Sequence, residues 1–239
     1  FLAWTTTPWT LCSNIALCVN PDETYARVKA ADGFTYIMAK ALLDKVLGGI
    51  EREEGTPAYE IIEEYKGKDL EYKEYEPLYQ CAKDAADKQH KKAFFVYCDN
   101  YVTMEAGIVH IAPAFGEDDA RVGRKYDAPF VQMVDEAGVM KPETPFAGMR
   151  AKPTKKEMEA GAINCDVEVL KELEGRGILF SAPKVEHEYP HCWRCDTPLI
   201  YYARESWFIK MSDPEVKANL IANNKTINWI PETIGTGRF

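Results

Sequence analysis

The chain has 239 residues, 46% of them hydrophobic and 12% aromatic, so it can bury a full core and is not a disordered segment. A formal net charge of −9 excludes a broad grip on nucleic-acid phosphates, while leaving room for one strand end in a local pocket. Seven cysteines, an odd number spread along the chain, read as reduced intracellular thiols, and no apolar run is long enough to span a bilayer.

The chain opens without Met inside the apolar run FLAW and stops without a polar taper, which reads as a piece of a longer protein. Residues 1–40 read as strands and turns. NIALCVN and YARVKA have strand character and are joined through Pro21 and Asp22; DGF reads as a hairpin turn before FTYIMA. Residues 40–47 form a brief amphipathic helix stopped by Gly48 and Gly49. The charged stretch 51–92 reads as strands and loops without a functional signal. KAFFVYC (92–98) and GIVHIAP (107–113) read as buried strands, the second halted by Pro113. FGEDDARVGRKY is a loop entering a helix, with Glu117, Asp118 and Asp119 in the first turn, where negative charge complements the helix dipole. Further helices are expected over 168–176, ended by Gly177, and over 214–223; a boundary falls near Pro183, where the composition changes.

Three stretches carry possible chemistry. In AWTTTPWTLCSN, the hydroxyls of Thr5, Thr6, Thr7, Thr10 and Ser13 crowd around Trp4, Trp9 and Pro8. Threonine is a good strand former, so a strand with hydroxyls facing water is one reading. The other is a strand that breaks at Pro8 on the rim of a cleft, where hydroxyls and free backbone groups suit a hydroxyl- and amine-rich ligand such as a nucleoside. In HIAPAFGEDD, His110 ends an apolar strand and three acids follow; they either cap the helix or, for one or two of them, hold a cation such as a ligand ammonium. In HCWRC, Cys192 and Cys195 make half of a tetrahedral zinc site, for which His187, His191 or a pair elsewhere would be needed. No cysteine or serine has the flank of a nucleophile. The basic run KPTKK (152–156) reads as solvated surface or as a contact for a phosphate.

WTTTPWTLCSN, GIVHIAPAFGEDD and HCWRCDTPLIYYARESWF, in this order and at these separations, resemble isoleucyl-tRNA synthetase. The matching region is the inserted editing domain, connective peptide 1, and the chain returning from it to the catalytic core. Thr7 stands where the valine and leucine enzymes carry Arg, which points to the isoleucine enzyme; Cys12 departs from the Pro that many members have there. The resemblance implies an α/β fold with a β-barrel core and flanking short helices, residues 1–183 forming the editing body and 184–239 the return segment. It implies hydrolysis of valine misattached to tRNA(Ile), because an apolar synthetic pocket rejects a substrate one methylene shorter by only about 1–3 kcal/mol. The isoleucine–valine pair is itself the reference case for that range.

Carried over by position, the resemblance gives catalytic roles to Asp119, His110 and Thr7. Asp119 would pair with the α-ammonium, and His110 would wall the pocket against isoleucine. Thr5, Thr6 and Thr7, with Trp9, Thr10 and Asn14, would bind the terminal adenosine and the ester. Water is the nucleophile and no cofactor is needed; zinc belongs to the parent enzyme, with ATP and Mg serving the synthetic site, whose signatures these residues lack. The expected partners are the 3′ end of aminoacylated tRNA(Ile) and the rest of the synthetase, in a cytoplasmic, membrane-free and monomeric setting. The alternative is a tRNA-docking or zinc-knuckle module with an idle hydrolytic site.

Overall fold

In the computed structural model, which describes residues 1–184 and 188–237, NIALCVN folds as β1 (Ala16–Val19), buried at all four positions. Such a strand needs cover on both faces. Ala16 and Cys18 face a large apolar cluster that includes Trp9, Leu11 and Ile15. Leu17 and Val19 face a second cluster with Tyr25, Val96 and Ile108. β1 is the centre of a three-stranded sheet. β5 (Phe95–Cys98) lies parallel on one side, with Leu17 opposite Val96; β6 (Val109–Ile111) lies antiparallel on the other, with Leu17 opposite His110.

The second sheet is antiparallel, in the order β3-β2-β4, built from β2 (Thr24–Ala30), β3 (Thr35–Ala39) and β4 (Tyr59–Lys66). Its face carrying Ala26, Val28 and Met38 is covered by Leu43 and Leu47 of α1 (Leu43–Leu47), which follows a 3₁₀ turn at Lys40–Leu42. Tyr25 projects the other way, into the cluster behind β1. Its hydroxyl donates to the Gly107 carbonyl at 3.0 Å and accepts from the Asn20 amide at 2.9 Å. The α/β class and the short flanking helices follow expectation; the strand pairing divides into these two sheets, joined through the shared apolar cluster.

The stretch 51–92 departs from its reading as strands and loops. It contains the strand β4 and also a helix, α2 (Gln80–Asp87), which buries Cys81, Ala82 and Ala86. The apolar stripe is made of small side chains within a segment that is polar overall, so it is easily taken for part of the charged loops around it. α3 (Glu117–Lys125) begins where the acids stand. α4 (Lys155–Glu159) starts at the end of the basic run and continues past it, where no helix is expected; Thr154 and Glu157 bond reciprocally as its capping box. α5 (Cys165–Gly175) starts three residues earlier than expected, at the N-cap Asn164, whose side chain accepts from the Asp166 amide at 3.0 Å. It ends at Gly177, whose φ of +69° needs glycine.

Two units are distinguishable, Phe1–Ala203 and the part from Arg204 onward. Within the first, the chain after the cysteine pair returns to the core: the Ala203 amide donates to the Ala114 carbonyl at 2.9 Å, and Ile200 and Tyr202 pack on the large cluster. The second contains α6 (Pro214–Asn224), capped by the Asp213 side chain, and α7 (Thr233–Gly237). No helix among the described residues is long and apolar enough to cross a membrane.

Candidate active site

The Thr-rich stretch is not a strand beyond Trp4. The Trp4 amide donates to the Ile108 carbonyl at 2.8 Å, making one parallel bridge beside β6. From Pro8 to Ser13 the chain is a 3₁₀ helix with Thr7 at its N-cap. Proline suits that first position because its ring presets φ and its missing N–H would be unpaired there. The helix seats Trp9 in the core, 2% exposed, edge-on to Phe115 at 5.0 Å.

This geometry divides the hydroxyls into two groups. Thr10 is buried and its hydroxyl donates to the Thr7 carbonyl at 2.8 Å. With that proton committed, Thr10 Oγ1 accepts from His110 Nε2–H at 3.0 Å and from the Thr7 hydroxyl at 3.2 Å, which assigns the Nε2–H tautomer to His110. Thr10 is thereby saturated, and the lone pairs of Thr7 Oγ1 remain open. Thr5 Oγ1 accepts the Thr7 amide at 3.1 Å and keeps its proton. Thr5 and Thr7 are half-buried and Thr6 is exposed. The face able to meet a ligand is therefore Thr5, Thr6 and Thr7. Thr10 holds His110 from beneath. Thr10→Val, which keeps the shape and removes three bonds, is expected to lower stability by about 1–3 kcal/mol in urea unfolding.

Asn14 also lies beneath. It is 3% exposed, donates to the Ala16 carbonyl at 2.8 Å, and accepts from the Tyr75 hydroxyl at 2.6 Å. Trp9 has its ring in the core and its amide bonded to Asp166 Oδ1 at 3.1 Å. The Thr10 hydroxyl, the Asn14 side-chain amide and the Trp9 backbone N–H are thus engaged within the protein. Tyr75→Phe leaves the buried Asn14 oxygen without its donor, and is expected to cost about 1–3 kcal/mol of folding stability by urea titration; no loss would show that Asn14 is not a structural pin.

Of the three acids opening α3, Asp119 alone turns inward. Glu117 and Asp118 are exposed, and Asp118 pairs with Arg121 at 3.0 Å. Asp119 Oδ2 accepts the Ala112 amide at 2.9 Å, at the end of β6 and two residues from His110. Gly116 makes room for it, since a Cβ there would lie 3.0 Å from the Asp119 carboxyl carbon. Burial pushes the Asp119 carboxyl up to about 6, against the pull of the Ala112 amide, and the Asp118 charge adds to the rise. Burial pulls His110 down to about 4, so its ring is neutral at pH 7. His110 Nδ1 and Trp9 Nε1 are buried without a partner among the described residues.

Thus β6 brings His110 to the threonine helix and its terminal amide to Asp119. Two hollows, of about 450 and 320 Å³, lie elsewhere, the larger between Lys68, Glu71, Asp99, Lys125 and Tyr126 and the smaller lined in part by Tyr75; Thr5, Thr6, Thr7, His110 and Asp119 line neither. Sequence reading missed Asp166 and Tyr75, whose contacts with the motif span 157 and 61 residues and leave no local signal.

Cys192 and Cys195 sit in a tight turn. The Cys192 amide donates to the Thr197 carbonyl at 2.9 Å, and the Asp196 amide to the Cys192 carbonyl at 2.8 Å, with Asp196 at φ +55°. Hydrogen bonding to Thr197 holds the Cys195 thiol below its ordinary range. His191 Nδ1 is engaged with the Tyr189 carbonyl oxygen at 2.8 Å, and His187 lies outside the described residues. Among the described residues no group of three or more His, Cys, Asp or Glu gathers as a metal site, so the pair remains half a donor set.

The fold is that of a synthetase CP1 insertion: it aligns with the crystal structure of GlLeuRS-CP1 at a TM-score of 0.53, covering 77% of this chain and 84% of that one at 18% identity. No family model matches. Over its whole length the chain is a homologue of one segment of isoleucine–tRNA ligase. It is 42% identical over 241 residues to the enzyme of Clostridium novyi, and 41% identical over 240 residues to that of Thermus thermophilus. It spans about a fifth of the length of these relatives, 21% and 20% respectively.

Proposed function

We propose that the chain is the editing domain of an isoleucine–tRNA ligase and hydrolyses the ester of valine misattached to tRNA(Ile). The observation that supports this reading is that one short stretch, β6 and the residue after it, holds both parts of the candidate set: His110 bonded to Thr10 beside the Thr7 hydroxyl, and the Ala112 amide bonded to the inward Asp119 carboxylate. An α-aminoacyl ester on a ribose needs that set. Asp119 takes the ammonium, Thr5, Thr6 and Thr7 seat the sugar and base, and His110 limits the room for the side chain.

A water molecule attacks the ester carbonyl and the C–O bond to the ribose breaks. The ribose oxygen takes up a proton, giving free valine and tRNA. The Thr5 hydroxyl, whose proton is uncommitted, donates to the developing oxyanion, the open lone pairs of Thr7 Oγ1 accept from the attacking water, and fixed positioning supplies the remainder of the rate. A neutral His110 orients the ester without competing with the ammonium for Asp119. The free ribose hydroxyl of the substrate helps orient the water.

In this reading residues 1–183 are the editing body, and residues from 184 onward lead back toward a catalytic domain that uses ATP and Mg to charge tRNA(Ile) in the cytoplasm. The stretch before Ala203 still packs on the body. Editing takes no cofactor. Two thiols, one of lowered pKa, fit half of a structural zinc site that a second pair elsewhere in the synthetase would complete. The test is single-turnover deacylation of Val-tRNA(Ile) and Ile-tRNA(Ile), with zinc analysis alongside. Release of valine with isoleucine retained supports the reading. One bound zinc with no hydrolysis favours a docking module instead.

A further inference from the structure

The threonine helix is anchored from outside its own motif. Asp166, at the second position of α5, accepts the Trp9 amide on Oδ1 at 3.1 Å and pairs through Oδ2 with Lys152 Nζ at 2.5 Å. Both side chains are largely covered, 15% and 20% exposed, and the Lys152 ammonium lies 5.3 Å from the Tyr189 ring centroid. The Asn164 cap fixes the backbone at Asp166, and Cys165, Val169 and Leu173 of α5 are buried in the cluster that holds Trp9. The Trp9 amide is the first free N–H of the 3₁₀ helix, since Pro8 has none and the Thr10 amide bonds to the Thr7 carbonyl at 3.0 Å. Its acceptor therefore sets how the helix start is oriented, and with it the direction of the Thr7 hydroxyl two residues earlier.

We infer that Asp166, steadied by Lys152, is a positioning residue for ester hydrolysis, aiming the Thr7 hydroxyl at the substrate through the Trp9 amide. This rests on the proposed deacylase reading. Asp166 touches no substrate; it fixes the geometry of a group that does. Lys152 is thereby drawn away from the phosphate-contact role open to the basic run: its ammonium is already paired, under partial cover, with Asp166.

The test is steady-state deacylation of Val-tRNA(Ile) by the full chain, separating kcat from KM. Asp166→Ala is expected to lower kcat roughly tenfold or more with KM changed less than about threefold; Asp166→Asn, which keeps an oxygen for the Trp9 amide, should recover most of the rate. Combined with Thr7→Val, Asp166→Ala should cost nothing beyond Thr7→Val alone, because both act through one hydroxyl. Should Asp166→Ala fail to fold, Lys152→Met decides: the expected result is a fall in kcat of about two- to fivefold with KM unchanged, since the carboxylate loses its tether. Full kcat in Lys152→Met, or a rise in KM alone, overturns the inference in favour of an inert or phosphate-contacting lysine; full kcat in Asp166→Ala, or full additivity with Thr7→Val, overturns it as well. An unaltered chain that leaves Val-tRNA(Ile) intact would defeat the deacylase reading itself, a different outcome from active chain with indifferent Asp166.

Discussion

Replacing Asp119 with asparagine is expected to lower kcat/KM for Val-tRNA(Ile) by roughly a hundredfold, equivalent to about 3 kcal/mol, the scale of leaving a buried charge without its partner. The substitution keeps the side-chain shape and an oxygen for the Ala112 amide, so the loss isolates the negative charge. The same carboxylate predicts a pH dependence. Burial raises it to about 6, so the charged form that attracts an ammonium is full above that pH and is lost as pH falls through it. kcat/KM should therefore rise between pH 5 and 7 and then level. His110, drawn down to about 4 by burial, is neutral over that range and does not supply the limb. In Asp119→Asn the limb should vanish; a limb that survives the substitution would assign the titration to another group.

His110→Ala is expected to change selectivity more than rate. The ring is fixed by its bond to Thr10 and adds no charge at neutral pH, so its main contribution is volume in a defined place. Its removal admits more than the one methylene that separates isoleucine from valine. Ile-tRNA(Ile) should then be cleaved, with the valine-to-isoleucine ratio of kcat/KM falling by about 10- to 100-fold, the range that one methylene commands. Parallel deacylation of the two charged tRNAs reads this directly. Isoleucine that stays protected would show that another side chain forms the wall.

Local signals make much of the framework legible. Apolar runs bounded by Pro, Gly and Asn mark β1, β5 and β6; the acids and the Gly116 entry mark α3; Gly177 marks the end of α5. What escapes reading has a physical reason in each case. α2 buries only Cys and Ala and is polar overall, so it blends with the charged stretch around it. β4 lies in the stretch read as strands and loops, but as a mostly exposed edge strand it lacks the alternation that would mark its bounds. Strand propensity misleads at the threonine motif, because Pro8 and the capping geometry at Thr7 turn it into a 3₁₀ helix.

The site is legible by residue type and not by direction. Three acids are equivalent in sequence; the turn of α3 selects Asp119. Five motif hydroxyls are equivalent too. Folding assigns Thr10 to the Thr7 carbonyl and His110, and Ser13 accepts from the Met133 amide at 3.0 Å, while Thr6 and part of the bonding capacity of Thr5 and Thr7 stay open. The Asp166 anchor comes from a helix far along the chain, and only the tertiary fold brings it to the motif.

The most direct measurement is a crystal complex of the chain with a valyl-adenosine whose ester is replaced by a non-hydrolysable amide. The account predicts the valyl ammonium within hydrogen-bonding reach of the Asp119 carboxylate, with the ribose against Thr5 to Thr7 and the isopropyl group facing His110. An analogue bound with its ammonium away from Asp119, or seated in the hollow between Lys68 and Lys125, would contradict it.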